Sequence, residues 1–503
     1  MGRRRIIGAA ALGLVLFGGA FIAINWPNIK RLQTVNTLFD AEKIVHNFSH
    51  MDEAFLHNDL DASAAPFAWE EDIQPLPGMV SIAGKERSLE KTLADLDTTG
   101  LVIIRDGKLI HESYYKGTKR EDRRISWSVA KSFMSGLYGA ALESGAVKSL
   151  DDKVESYVPS LKGSAYERAT IRNVLNMASG ITFDEDYLDP KSDINDMGRV
   201  LGLGGSMDDY AARLTKRDVA AGERWQYVSI DTHVAAMVLR AATGKTLHQL
   251  FNETYSANLG FDRAPYYLTD GKNVAFALGG LNLTTRDYAK FGQLFAQRGK
   301  FAGKQVIPSD WVAASTVHSA PSMSTRGVGY GYQWWIPMPQ EGPNKGDYTA
   351  AGIYGQYVYV NPAKNIIIAK NAADREFAYP QDGYTHSMNV NMDLFRSLAD
   401  YYVPDKKISK LEDFLNKHGF SNQDGFLSRI GDNADSLSQG DFGEVFGLAR
   451  SSSGTAVDWE KTIEKLKQGE GLSGISGAPN AEQLNEIWDR MLEELKKQEG
   501  TQD

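Results

Sequence analysis

Cysteine is absent from this chain of 503 residues. Its absence removes thiol nucleophiles, disulfides, cysteine-ligated zinc and lipid attachment through cysteine. Histidine is scarce, at nine, and no metal-ligating His-x-x-x-His pair is expected among them, so neither a metal nor any other cofactor is expected. Gly-x-Ser-x-Gly is missing too, which withdraws the usual nucleophile turn of a Ser-His-Asp hydrolase. His386, in Tyr384-Thr385-His386-Ser387, reads as a structural histidine that could line a pocket. Positive charge is in deficit, and a net charge of -9 argues against a nucleic-acid partner. What the chain does have is apolar material, 42% of its residues, enough for one large domain with appendages.

Against that background Ser128 stands out, in Ile125-Ser126-Trp127-Ser128-Val129-Ala130-Lys131-Ser132-Phe133. Apolar residues recur with helical spacing through Phe133, Met134, Leu137, Tyr138, Ala141 and Leu142, and Gly145 supplies a stop. Ser128 therefore opens a buried helix, and Lys131, at i+3, projects from the same face. An ammonium in an apolar pocket loses solvation and titrates low, so a neutral amine becomes available to take the hydroxyl proton. The helix N-terminus adds backbone donors suited to an oxyanion. Two other Ser-x-x-Lys matches lack this context: Ser88 to Lys91 lies in a charged stretch, and Ser113 to Lys116 at a strand end, where i and i+3 face opposite ways. The bland alternative for Ser128 is an N-capping serine with an incidental lysine.

Four regions follow from composition. Residues 1–27 read as a signal anchor: Arg3, Arg4 and Arg5 precede an uncharged apolar run from Ile6 to Trp26, long enough to span a bilayer with the arginines inside. The expected location is the inner membrane, with the remainder in the periplasm or outside, or secreted if the segment is cleaved. Residues 28–99 read as a polar, helical lead-in with a Pro-rich approach that wraps the main domain. Residues 100–402 open on a hairpin, Leu101 to Arg105 and Lys108 to His111 about Asp106-Gly107, and close on strands at Gln356–Val360 and Ile366–Ala369. Helices fill the interval, one capped by Thr285, which implies an α+β domain whose sheet is built from both ends. Residues 403–503 read as a helical extension. Its last helix carries a stripe of Leu484, Ile487, Trp488, Met491 and Leu495 that docks on the enzyme body, meets a protein partner or self-associates.

Five ordered blocks sharpen the reading: Ser126-Trp127-Ser128-Val129-Ala130-Lys131-Ser132, Val174 to Ile181, Gly222 to Ser229, Gly279-Gly280-Leu281, and Ala351 to Gln356. Over roughly Ile44 to Tyr402 the chain resembles the serine β-lactamase and penicillin-binding-protein superfamily, on the branch of 6-aminohexanoate-dimer hydrolases and class C-like carboxylesterases. The resemblance implies an antiparallel sheet flanked by helices with a helical subdomain, and a cofactor-free serine hydrolase acting on small-molecule esters or amides.

It also implies roles. Tyr227 matches the tyrosine of the family's Tyr-x-Asn motif and would relay a proton. Ser229 stands where asparagine is usual, as a secondary substrate contact. Ala350-Ala351-Gly352 replaces Lys-Thr-Gly, so the amide of Ile353 would join that of Ser128 in the oxyanion hole, with Gly352 and Tyr354 against the substrate. The cation of that motif is missing, which weakens a DD-peptidase or β-lactamase reading. Tyr187 matches a substrate-contacting tyrosine, while the surrounding Asp184-Glu185-Asp186 is either a solvated loop or a site for a substrate ammonium. A non-catalytic sensor on the same fold is the alternative of a different class.

Overall fold

The computed structural model describes residues 33–340, 344–379 and 387–403. The apolar run at 1–27, His386 and the stripe from Leu484 to Leu495 lie outside the described residues. Among the described residues no helix is long and apolar enough to cross a membrane.

β-Branched runs build the central sheet. Its strands are β1 (Glu70–Glu71), β2 (Thr98–Arg105), β3 (Lys108–Tyr114), β4 (Gly329–Tyr330), β5 (Trp335–Ile336), β6 (Tyr348–Gly352), β7 (Gln356–Asn361) and β8 (Ile366–Ala372). They lie in the order β4-β5-β6-β7-β8-β2-β3-β1. Each neighbouring pair is antiparallel except β1 with β3. The join between the two ends of the domain is β8 against β2, with Ile367 opposite Ile104 and Ile368 opposite Ile103. Both strands are buried on both faces, as their near-continuous Val and Ile content demands.

Three helices matter for the site: α1 (Val129–Glu143), α2 (Ser229–Thr243) and α3 (Thr285–Ala296). The first begins one residue after Ser128 and ends just before Gly145, which takes a left-handed φ of +74°. Helix α3 lies on the sheet at Gly292, where an added Cβ would come within 2.5 Å of Ile367 and 2.8 Å of Val358. Phe291, next to it, stacks on Phe133 of α1 at 3.7 Å and on Trp334 at 5.7 Å. Full burial of each such ring stabilises by about 1.5–3 kcal/mol. Gln333 ties the remaining pieces: it accepts from Thr232 of α2, its backbone carbonyl accepts from Ser132 of α1, and its amide donates to Leu175 and Val174.

Two details differ from the sequence reading of these elements. The cap of α3 is Thr284, whose hydroxyl accepts from the Asp287 amide, and Thr285 is the first helical residue. In Thr284-Thr285 either threonine suits a cap, and burial of Thr285 against Asn371 decides between them. The lead-in, expected as helix and Pro-rich chain, also holds strands His57–Asp59, β1, Met79–Ile82 and Lys85–Ser88. These run two to four residues, too short for an alternating pattern to register.

The sequence reading found no metal-ligating pair of histidines, yet His46 and His50 do stand four residues apart. Their rings stack at 4.0 Å and His50 Nδ1 contacts the His46 carbonyl. Among the described residues no three His, Asp or Glu side chains gather as a metal site.

Candidate active site

The site forms where α1, α2, the end of β6 and a loop from 178 to 192 meet. Strand Arg124–Ile125 pairs with Leu281–Leu283 and delivers the chain to Trp127, whose φ of +41° is strained for a residue with a Cβ. That turn sets Ser128 at the head of α1, 9% exposed, with no capping hydrogen bond from its hydroxyl. The capping alternative is therefore not what the hydroxyl does here. The other two serine-lysine pairs behave differently. Ser88 caps a short helix, accepting from the Lys91 amide, while Lys91 Nζ turns outward to Asp95. Lys116 pairs with Asp97.

Lys131, 1% exposed, places Nζ 3.1 Å from Ser128 Oγ, 3.3 Å from Ser229 Oγ and 2.9 Å from the Leu278 carbonyl. Burial lowers its pKa from 10.5 to about 7, against the opposing charges of Glu185 and Asp231. The hydrogen-bond directions then follow by elimination. Leu278 O can only accept, and the Ser229 hydroxyl donates to Glu185, so it too accepts from Lys131. The third bond, to Ser128 Oγ, is a donation from the ammonium, and a neutral amine that keeps the other two would turn its lone pair there.

Tyr227 closes the other side. Lys131 Nζ lies 5.4 Å from its ring centre, and the nearby Ser128 side chain draws the phenol's pKa down. Burial, reinforced by Glu185, holds this phenol well above its usual range, so it stays protonated. The ring stacks on Trp335 at 5.3 Å. Ser229, buried, is engaged by both Lys131 and Glu185.

Gly352 comes so close that a Cβ there would lie 2.6 Å from the Ser126 carbonyl and 3.0 Å from the Ser128 amide nitrogen. Ile353 follows it, so its backbone sits at the same edge, and Tyr354 turns back with φ +59° to place its ring 5.9 Å from Trp127. Tyr187 reaches the site through its hydroxyl, which donates to Glu185 at 2.7 Å, and its ring meets Phe377 at 5.9 Å.

The residue that sequence reasoning undervalued is Glu185. Asp184 and Asp186 serve the loop, accepting from the amides of Asp186 and Leu188. Glu185 instead turns inward to the Ser229 amide and hydroxyl, and burial raises its pKa while Lys131 and these hydrogen bonds hold it down. A carboxylate between two aspartates carries no local mark of facing inward. Asp231, buried on α2 and bonded to the Tyr166 hydroxyl, is lifted by burial to about 7 and was likewise unsignalled.

Comparison with known proteins bears on the family and the fold. A model of the Beta-lactamase family matches residues 87–382. The 6-aminohexanoate-dimer hydrolase of Paenarthrobacter ureafaciens is 28% identical over 310 residues, which span 59% of this chain and 78% of that one. A solved protein of Bacillus anthracis, provisionally named a 6-aminohexanoate-dimer hydrolase, superposes with a TM-score of 0.65 at 24% identity, covering 73% of this chain and 97% of its own. EstCE1, described as a hydrolase with promiscuous acyltransferase activity, shares the fold at TM-score 0.50 and 16% identity, over 61% of this chain and 96% of its own.

Proposed function

The chain belongs to the Beta-lactamase family, and from that premise we propose that it is a serine hydrolase cleaving small-molecule esters or amides through an acyl-enzyme on Ser128. The observation that carries the reading is the Lys131 amine, 3.1 Å from Ser128 Oγ and near half-neutral at pH 7.

Ser128 Oγ attacks the carbonyl carbon as its proton passes to the lone pair of Lys131. The carbonyl oxygen gains charge against the amides of Ser128 and Ile353. Collapse breaks the bond to the leaving alcohol or amine, which takes the Tyr227 proton, and Lys131 returns its proton to Tyr227. Water then attacks the acyl-enzyme by the same relay run in reverse, releasing the acid and restoring the Ser128 hydroxyl. Glu185 supports the cycle by orienting Ser229 and by tempering the low pKa of Lys131.

The strand edge at Ala350-Ala351-Gly352 offers no lysine to a substrate carboxylate, so neutral esters and amides fit better than penicillin-like acids. The 6-aminohexanoate dimer belongs in the substrate panel because a relative is named for it. The reaction is placed outside the cytoplasm, on a body held by the apolar run of residues 6–26; proteolysis of the body in intact spheroplasts is expected, and protection there would refute the placement. The test of the chemistry is intact-mass analysis after a fluorophosphonate probe. One adduct at Ser128 is expected, lost in Ser128→Ala and slowed in Lys131→Ala. An unlabelled, folded wild type would favour a binding protein on this fold.

A further inference from the structure

The family match begins at residue 87, and a segment ahead of it packs on Trp127, the residue before Ser128. Asn47 pins the turn before Phe39, its side chain donating to the carbonyls of Thr37 and Leu38 at 3.0 and 3.1 Å. Leu38 is buried, while Phe39 is held out with 41% of its surface exposed. The following residues are anchored to the strand that leads into the nucleophile. The Ile125 amide donates to Phe48 O at 3.0 Å, and Arg124 Nη1 donates to Val45 O at 2.6 Å and to Ser49 Oγ at 2.7 Å.

These ties bring four rings together. Phe39 stacks on Tyr354 with centres 5.0 Å apart and planes within 13°, and lies 6.1 Å from Trp127. Phe48, fully buried, supports both from beneath, 5.6 Å from Trp127 and 5.3 Å from Tyr354. Trp127 immediately precedes Ser128, and Tyr354 immediately follows Ile353, so the rings flank the two amides of the proposed oxyanion hole. Beyond Tyr354 the aromatic surface continues to Phe377 at 4.7 Å and from there to Tyr187.

Phe39 is thus a ring kept substantially exposed by a pinned turn, at the rim of an aromatic cluster that includes Trp127 and Tyr354. We propose that Phe39, with Trp127 and Tyr354, forms a substrate subsite for an uncharged apolar group, aryl or alkyl, carried beside the scissile ester or amide. The subsite rests on Ser128 being the reacting serine, and it selects by stacking and burial rather than by charge. It gives the lead-in a role in specificity.

Two measurements on the full chain separate the claims. In Ser128→Ala, where no chemistry intervenes, calorimetric titration compares neutral 4-phenylbutanamide with acetamide. The aryl amide is expected to bind more tightly, and Phe39→Ala in that background to weaken it about tenfold, with Phe39→Tyr restoring it. Equal binding in the presence and absence of the Phe39 ring overturns the subsite whatever Ser128 does. In the wild-type background the ratio of kcat/KM for p-nitrophenyl hexanoate over acetate is expected to fall about tenfold in Phe39→Ala, mainly through KM; an unchanged ratio counts against the proposal. Fluorophosphonate labelling of the same preparations reads the nucleophile separately, so loss of that reading is not mistaken for loss of the subsite.

Discussion

Replacing Lys131 with methionine should make the protein more stable while destroying its activity, and the gain should shrink as pH rises. Lys131 titrates near 7 in the folded chain and near 10.5 when exposed. Between those values the unfolded chain holds the extra proton, so wild-type stability rises with pH across this window and is lowest below it. At pH 7 the cost of keeping the lysine buried is about 4 kcal/mol, and by pH 9 it has fallen to about 2 kcal/mol. Methionine removes that cost but abandons the bonds to Ser229 and the buried Leu278 carbonyl, a loss of roughly 1–3 kcal/mol that does not vary with pH. The observable is the change in the stability gap between the two proteins. Urea unfolding of the full chain at pH 7, 8 and 9 should show it narrowing by about 2 kcal/mol in total. A gap that stays constant or widens would refute the claim that Lys131 is held in a desolvated, half-neutral state. Hydrolysis should fall by about 10²–10⁴ in the variant at every pH.

The charge of Glu185 raises the Lys131 pKa, so Glu185→Gln should move the rising limb of kcat/KM, expected near pH 7 in the wild type, to lower pH. A limb displaced upward, or not at all, would remove Glu185 from the network. Tyr227→Phe keeps the stack on Trp335 but loses the proton, so hydrolysis should drop by about 10²–10⁴ with little change in Tm; near-normal turnover would sink the relay. Gly352→Ala should cost about 1–3 kcal/mol of stability and at least about 10² in kcat, because the two nearest of the three atoms its Cβ meets are backbone and cannot swing away. Denaturation and a single-substrate assay on the same preparation check both numbers.

Sequence by itself determined whatever is encoded within one element. The apolar spacing after Ser128 specified α1 and its Gly145 stop, and i, i+3 geometry put Lys131 beside the hydroxyl. Asp106-Gly107 between β-branched runs specified the β2–β3 hairpin, and the β-branched runs themselves specified β7 and β8. Tertiary structure alone decided what crosses elements. Glu185 reaches Ser229 over 44 residues, Leu278 offers its carbonyl to Lys131 over 147, and Phe39 meets Tyr354 from the far end of the domain. A periodic pattern records which face of an element is buried, but not which distant side chain covers it. An inward carboxylate and an outward one are written with the same letter, and only the cost of burying the Lys131 amine among real neighbours tells them apart.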